Sequence, residues 1–168
     1  MVELVEFASD GDLSDGLPRS RLRAFLVTCW RETYQEQLGS DTATAMVESL
    51  AGEDLGGILP ATDERVVLAF HHGRIVGSCV YATRGETVYV WGCYIRRAFQ
   101  RSGTGRRLIR HVQRESLSAS RLQVTVLCAS VGAVAFYGSL GFAVVERVEY
   151  ELLPGCREPA LVMELATA

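Results

Sequence analysis

Residues 93–105 combine an apolar strand, a turn containing glycine and the start of a helix. The turn ends in Gly103-Thr104-Gly105, and its small side chains allow several backbone N–H groups to point in one direction. The helix that follows adds unpaired N–H donors and the positive end of its dipole. A phosphate group could be bound there without a charged side chain. The segment therefore predicts a site for a phosphate-bearing ligand.

Two common phosphate-binding loops do not fit this turn. A dinucleotide fingerprint needs a third glycine where Leu108 stands, and it follows the first strand of its domain, whereas this turn follows the fourth predicted strand. A Walker A loop needs a lysine, and the sequence contains none. Arginines are abundant around the turn, and one or two of them could supplement the anion site while the others form a solvated helix face. They are Arg96, Arg97, Arg101, Arg106, Arg107, Arg110 and Arg114.

The composition is that of a water-soluble globular protein. A chain of 168 residues with 48% hydrophobic and 22% charged residues predicts one compact domain over residues 1–168. The formal net charge of -3 argues against a nucleic-acid partner. Apolar runs are far shorter than the roughly 20 residues that cross a bilayer, so we expect no membrane association and a cytoplasmic location. Five cysteines without paired spacing predict free thiols and no metal site.

Hydrophobic periodicity predicts the order strand, two helices, three strands, helix, strand, helix and two strands. We expect a loop at residues 9–16 and helices at residues 18–38, 40–50, 103–117 and 133–140. We expect strands at residues 2–8, 65–71, 75–82, 86–95, 122–128, 142–152 and 160–165. This order predicts an α/β layer fold with a mixed sheet.

A second motif follows the predicted strand at residues 122–128. Ser130 opens a helical stretch that leads to the pair Phe136-Tyr137 and then to Gly141-Phe142. With this motif the chain resembles the GNAT superfamily of acyl-CoA-dependent N-acyltransferases. Residues 100–105 match that family's Q/R-x-x-G-x-G/A pyrophosphate loop, and residues 130–142 match its N-x-x-A-x-x-F-Y-x-x-x-G-F pattern at all but the first position.

The resemblance implies a fold and a cofactor. It implies a mixed, mostly antiparallel sheet of about seven strands with helices on both faces, in which the fourth and fifth strands splay apart. Acetyl-CoA would lie in that gap, with its pyrophosphate on the backbone of residues 100–106 and its pantetheine arm paired to the fourth strand. The implied cofactor-binding residues are Cys93, Tyr94, Ile95, Gln100, Arg101, Ser102, Gly103, Thr104, Gly105, Arg106, Ser130 and Tyr137.

The resemblance also implies catalytic roles, with two departures from the family pattern. Tyr137 matches the tyrosine that gives a proton to the departing CoA thiolate, and a phenol is protonated at neutral pH. Tyr89 stands where many members carry a glutamate base, so it could act only as a relay. Ser130 replaces an asparagine, and it could cap its helix but has no amide for the pantetheine.

The acceptor is expected to be an amine on a small molecule or peptide. Trp30, Tyr34 and Trp91 are the aromatic candidates for its pocket, although Trp30 also fits ordinary core packing. The carboxylates Glu32, Glu36 and Glu86 are open candidates for the proton acceptor.

The reaction that the resemblance implies is direct attack of a primary amine on acetyl-CoA in a ternary complex. An acyl intermediate on Cys93 is a second mechanism, and a CoA-binding sensor or interaction module without turnover is an alternative function. The sequence does not predict the oligomeric state, and a homodimer is one of the open alternatives.

Overall fold

The computed structural model describes residues 1–8 and 19–167, which form one seven-stranded sheet with four α-helices. The strands are β1 (Val2–Phe7), β2 (Arg65–His71), β3 (Arg74–Arg84), β4 (Thr87–Ile95), β5 (Arg121–Leu127), β6 (Ala143–Leu153) and β7 (Cys156–Ala166). The helices are α1 (Arg19–Leu38), α2 (Ser40–Ser49), α3 (Thr104–Glu115) and α4 (Val131–Ser139), with a 3₁₀ turn at Arg97–Phe99.

The sheet runs β1-β2-β3-β4-β5-β7-β6, and among the described residues β4 and β5 are the one parallel pair. Helices α1 and α2 cover one face, where Leu26 packs with Leu68 and Val80. Helix α3 covers the opposite face, where Leu108 packs with Val88. The predicted fold is therefore confirmed: a mixed, mostly antiparallel sheet with helices on both faces.

The predicted splay between β4 and β5 is also present. Residues 87–90 of β4 pair with residues 121–124 of β5, and no further pair joins these strands. Beyond that point residues 125–127 of β5 continue to pair with β7, and residues 94–95 of β4 continue to pair with β3. The facing edges of residues 91–95 and 125–127 therefore lack a strand partner, which leaves backbone N–H and C=O groups free for another molecule.

A β-bulge at Gly92 sets which side chains of β4 face each side of the sheet. Trp91 pairs with Val80 and Tyr94 with Ser78, so three steps along β4 match two along β3. Gly92 has a φ of +57°, and a Cβ there would lie 2.6 Å from the Cδ1 atom of Ile58. The bulge places Tyr94 in the α1 core with Trp91, while Cys93 joins the α3 core.

Helix α3 is fastened to the edge strand β1. Arg107 donates a hydrogen bond of 2.7 Å to the Val2 carbonyl, and the His111 ring pairs with the Glu6 carboxylate at 2.8 Å. Tyr81 of β3 donates to the same carboxylate at 2.6 Å. These contacts fix the direction of α3, whose N-terminus closes the glycine turn.

Most predicted bounds differ from the observed ones by one or two residues, and the last strand differs by more. The last strand begins at Cys156 rather than at residue 160, because Pro159 and charged residues hide the alternation of a strand that pairs fully with β6. The 3₁₀ turn Arg97–Phe99 was not predicted. The predicted loop at residues 9–16 and the helix start at Pro18 lie outside the described residues.

Candidate functional site

A cavity of about 1220 Å³ follows the gap between β4 and β5 and continues beneath α1. Its walls come from α1, β4, the glycine turn, β5, α4 and β6. Most of the predicted site residues line it. They are Trp30, Tyr34, Trp91, Cys93, Tyr94, Ile95, Gln100, Arg101, Gly103, Gly105, Arg106, Ser130 and Tyr137. Ser102, Thr104 and Tyr89 do not line it.

The glycine turn is shaped for an anion. Gly103 is the residue before α3 and has a left-handed φ of +86°, with nothing within 4 Å of the position of a Cβ. Among the described residues no side chain caps the first turn of α3, so its N–H groups are open to a ligand. Ser102 and Thr104 bond to each other through their hydroxyls at 2.9 Å, so these side chains hold the turn. Gln100 donates to the Ile95 carbonyl at 3.1 Å and ties the turn to β4.

The two sequence motifs meet at Gly105. A Cβ on this glycine would lie 3.0 Å from the Cζ atom of Phe136, so α4 packs closely on the first turn of α3. The same packing brings Tyr137 to the end of β4. The two motifs therefore belong to one site.

The arginines around the turn divide into two groups. Arg101 and Arg106 line the cavity beside the open N–H groups and can neutralise an anion. Arg107 binds the Val2 carbonyl, whereas Arg97 also lines the cavity but forms an exposed ion pair of 2.9 Å with Glu36 of α1.

Tyr137 lines the cavity and is buried, with 7% of its surface exposed. It packs edge-on against Phe136 and Phe142, with ring centroids 5.1 and 5.3 Å away. Its phenol lies near the Cys93 side chain, which also lines the cavity. Burial raises the pKa of Tyr137 well above its usual range, and the neighbouring Cys93 and Cys79 add to the shift. The phenol is therefore protonated at neutral pH and can donate a proton.

The end of the cavity under α1 is aromatic. Trp30, Tyr34 and Tyr94 form a cluster with ring centroids 5.8 to 6.4 Å apart, and the two tyrosine hydroxyls bond at 2.8 Å. Trp91 donates its indole N–H to the Gly57 carbonyl at 3.1 Å. Trp30 is both a core residue and a cavity wall, so the two interpretations of it are compatible.

Two residues do not behave as the sequence suggested. Tyr89 is 38% exposed, and its side chain lies outside the cavity wall. The expected side-chain cap by Ser130 is absent. Its carbonyl accepts from Ala133 and Val134, but its hydroxyl donates to Gln37 at 2.6 Å, which is 93 residues away in sequence.

Sequence reasoning missed the polar and apolar residues that distant elements bring to the cavity. Gln37 and Thr33 come from α1, and Tyr150 and Leu152 come from β6. No local motif marks these positions, because their place depends on how α1 and β6 pack over the sheet. Gly92 did carry a signal, since an isolated glycine within a strand indicates a bulge.

The residues present fit acetyl-CoA. The open turn, with Arg101 and Arg106, suits a pyrophosphate, and the unpaired edge of β4 suits an amide-bearing arm.

Across residues 1–8 and 19–167, no group of three or more His, Cys, Asp or Glu side chains could bind a metal ion. No helix within the same ranges is long and apolar enough to span a membrane.

Solved structures with similar folds include several acetyltransferases. The PaiA N-acetyltransferase of Thermoplasma acidophilum, solved with coenzyme A, superposes with a TM-score of 0.76 at 16% identity, covering 99% of each chain. The ribosomal-protein-S18-alanine N-acetyltransferase of Escherichia coli gives 0.63 at 20% identity, over 100% of this chain and 95% of that one. An IAA acetyltransferase of Bacillus cereus gives 0.61 at 17%, over 99% of each chain. The TM-scores show that these proteins share the fold of this chain, and at such low sequence identities they show the fold alone.

Comparison with curated protein sequences gives no match. A family model does match: the model described as the acetyltransferase (GNAT) family covers residues 21–142, which include both motifs and most of the cavity wall. This range is well over half of the chain. The chain therefore belongs to the acetyltransferase (GNAT) family and is an acyltransferase whose co-substrate is acetyl-CoA.

Proposed function

We propose that this protein is an N-acetyltransferase that transfers the acetyl group of acetyl-CoA directly to a primary amine in a ternary complex. The observation that carries the proposal is the position of Tyr137. A buried, protonated phenol lines a cavity that also reaches the open glycine turn and the unpaired edge of β4. Acetyl-CoA runs from its pyrophosphate through the pantetheine arm to the thioester. The cavity offers an anion site, an open strand edge and a proton donor in the same order.

The turn and β4 hold the donor. Backbone N–H groups at residues 103–106 bind the pyrophosphate, with Arg101 and Arg106 beside them. The unpaired edge of Cys93, Tyr94 and Ile95 bonds to the amides of the pantetheine arm as an added strand would. A backbone N–H on this edge also polarises the thioester carbonyl. Bound acetyl-CoA supplies an activated acetyl group.

Tyr137 gives its proton to the sulfur that leaves. The phenol lies near the Cys93 side chain, and both residues line the cavity, so the proposal puts the thioester end of the arm beside this phenol. Its high pKa keeps it protonated until negative charge develops on sulfur. This is general acid catalysis.

The proton of the incoming ammonium needs an acceptor. Glu86 does not line the cavity, and Glu36 is paired with Arg97. Glu32 lines the cavity and has no ion pair among the described residues, so it is our candidate to take the proton through water. Tyr89 lies outside the cavity wall, so any part it plays as a relay also requires water.

The aromatic walls define the class of acceptor. Trp30, Tyr34 and Trp91, with Tyr94 and Tyr150, surround the space beyond the thioester. Such walls favour an amine attached to an apolar or aromatic body, which they contact by stacking and by cation–π interaction.

The function is tested by thiol release from acetyl-CoA over a panel of alkyl, aromatic, amino-acid and peptide amines. We expect release that depends on the amine, is fastest with apolar or aromatic amines, and yields the N-acetyl product by mass. Thermal stabilisation by acetyl-CoA without release on any amine would instead indicate a CoA-binding sensor.

Direct transfer predicts that acetyl-CoA alone leaves the mass of the protein unchanged. The Cys79 thiol, and then the Tyr137 phenol, lower the pKa of Cys93 against the effect of burial, but neither is a histidine base or a cation of the kind that accompanies a catalytic thiolate. Intact-mass measurement checks this, and the absence of lysine removes the usual sites of chemical acetylation. A stable acetyl adduct that disappears in Cys93→Ser would establish the acyl-cysteine mechanism instead.

A further inference from the structure

A hydrogen bond joins α1 to the segment before α4 across the mouth of the cavity. Ser130 donates its hydroxyl to the Oε1 atom of Gln37 at 2.6 Å, and both residues line the cavity. Ser130 is buried with 8% of its surface exposed, and its hydroxyl makes no helix cap. The hydroxyl proton is thus committed to the Gln37 amide.

This bond fixes the other half of the Gln37 side chain. A carboxamide is planar, so holding Oε1 also sets the direction of the Nε2 group and its two N–H donors. Within residues 1–8 and 19–167 the Nε2 atom has no hydrogen-bond partner, and Gln37 is half-buried. An oriented donor that has no protein partner and lines the cavity is suited to an acceptor on a ligand, which would replace water at this N–H group.

The bridge lies where a ligand arm must pass. Tyr34, one turn before Gln37, is fastened to β4 by its bond to Tyr94, while Ser130 follows the end of β5. The Gln37–Ser130 pair therefore connects the two sides of the gap in which β4 and β5 lack a common hydrogen-bond ladder. An arm lying in that gap contacts the pair at its edge.

We infer that Gln37 is a cofactor-binding residue whose Nε2 group donates to an amide carbonyl of the pantetheine arm of acetyl-CoA. Ser130 is the positioning residue that orients it. The inference rests on the proposed function, because it requires the arm to occupy the gap. It also explains how a chain with serine at position 130 presents an amide to the arm: α1 supplies the amide instead.

Calorimetric titration with two ligands tests this contact. Coenzyme A carries the arm, whereas adenosine 3′,5′-bisphosphate carries a nucleotide half without it. We expect Gln37→Met to weaken CoA binding about tenfold, the effect of one lost hydrogen bond, and to leave the bisphosphate affinity unchanged. Gln37→Glu keeps the oxygen that accepts from Ser130 but has no N–H donor. This variant should weaken the binding of coenzyme A by at least as much as Gln37→Met does.

Gln35→Met is the matched control. Gln35 is exposed on the same helix and does not line the cavity, so this variant should bind both ligands as the parent does. Equal melting temperatures of the unliganded proteins exclude a change in the fold. If Gln37→Met binds both ligands more weakly by the same factor, or binds coenzyme A as the parent does, the inference is wrong while the proposed function stands. A parent protein that binds no CoA overturns the proposed function with it.

Discussion

Replacing Tyr137 with phenylalanine is expected to lower kcat by about 100-fold or more, the usual contribution of a general acid. The KM for acetyl-CoA should change less than about threefold. The ring contacts to Phe136 and Phe142 remain, so the variant loses the proton donor and little packing. Steady-state kinetics with acetyl-CoA varied at saturating amine measures both constants. A fall in kcat without a rise in KM marks an interaction made in the transition state.

The matched control for this variant is Tyr81→Phe. Tyr81 is also a buried phenol, but it bonds to Glu6 and does not line the cavity. The Tyr81→Phe variant should lose some thermal stability, while its kcat stays within about threefold of that of the parent protein. A Tyr137→Phe enzyme with nearly full kcat would show that the thiolate leaves without help from this residue, and the assigned role would be wrong.

Replacing Gly103 with valine is expected to raise the KM for acetyl-CoA by roughly 10- to 100-fold, the effect of losing one or two charge-assisted backbone bonds. Valine is strained at a φ of +86°, and its branched side chain occupies the space through which the pyrophosphate approaches. The KM for the amine should stay within about threefold, because the acceptor binds at the aromatic end. Initial rates over both substrates separate these effects.

Gly155→Val separates backbone strain from loss of the anion site. Gly155 has a φ of +77° and open space at the Cβ position, but it lies in the β6–β7 turn and does not line the cavity. Both variants should lose similar thermal stability, and Gly103→Val alone should lose affinity for acetyl-CoA. Equal increases in both KM values for Gly103→Val would mean that the turn only shapes the fold.

The sequence predicted the donor half of the site because that half is local. The turn with Gly103 and Gly105 leads directly into α3, so a short segment of sequence is enough to predict the geometry of both. The Phe136-Tyr137 pair could be joined to that segment only through a family pattern. The physical link between the motifs, the 3.0 Å approach of Phe136 to a Cβ at Gly105, appears only in three dimensions.

The acceptor half was harder to predict because it is assembled from distant elements. Thr33 lines the cavity only because α1 packs across the sheet, and Tyr150 comes from an edge strand. Tyr89 was assigned by counting back from Gln100 to the family's glutamate position, and that count does not show whether the side chain reaches the cavity. The bulge at Gly92 then breaks the alternation of β4, so Cys93 and Tyr94 face opposite sides from those that simple counting along the strand gives.

A structure of the protein with coenzyme A bound tests the central claim most directly. We predict the pyrophosphate on the N–H groups of residues 103–106, the pantetheine amides bonded to the backbone of Cys93 and Ile95, and the sulfur within hydrogen-bond distance of the Tyr137 hydroxyl. Coenzyme A bound with its sulfur away from Tyr137, or with its arm outside the gap between β4 and β5, would contradict the account.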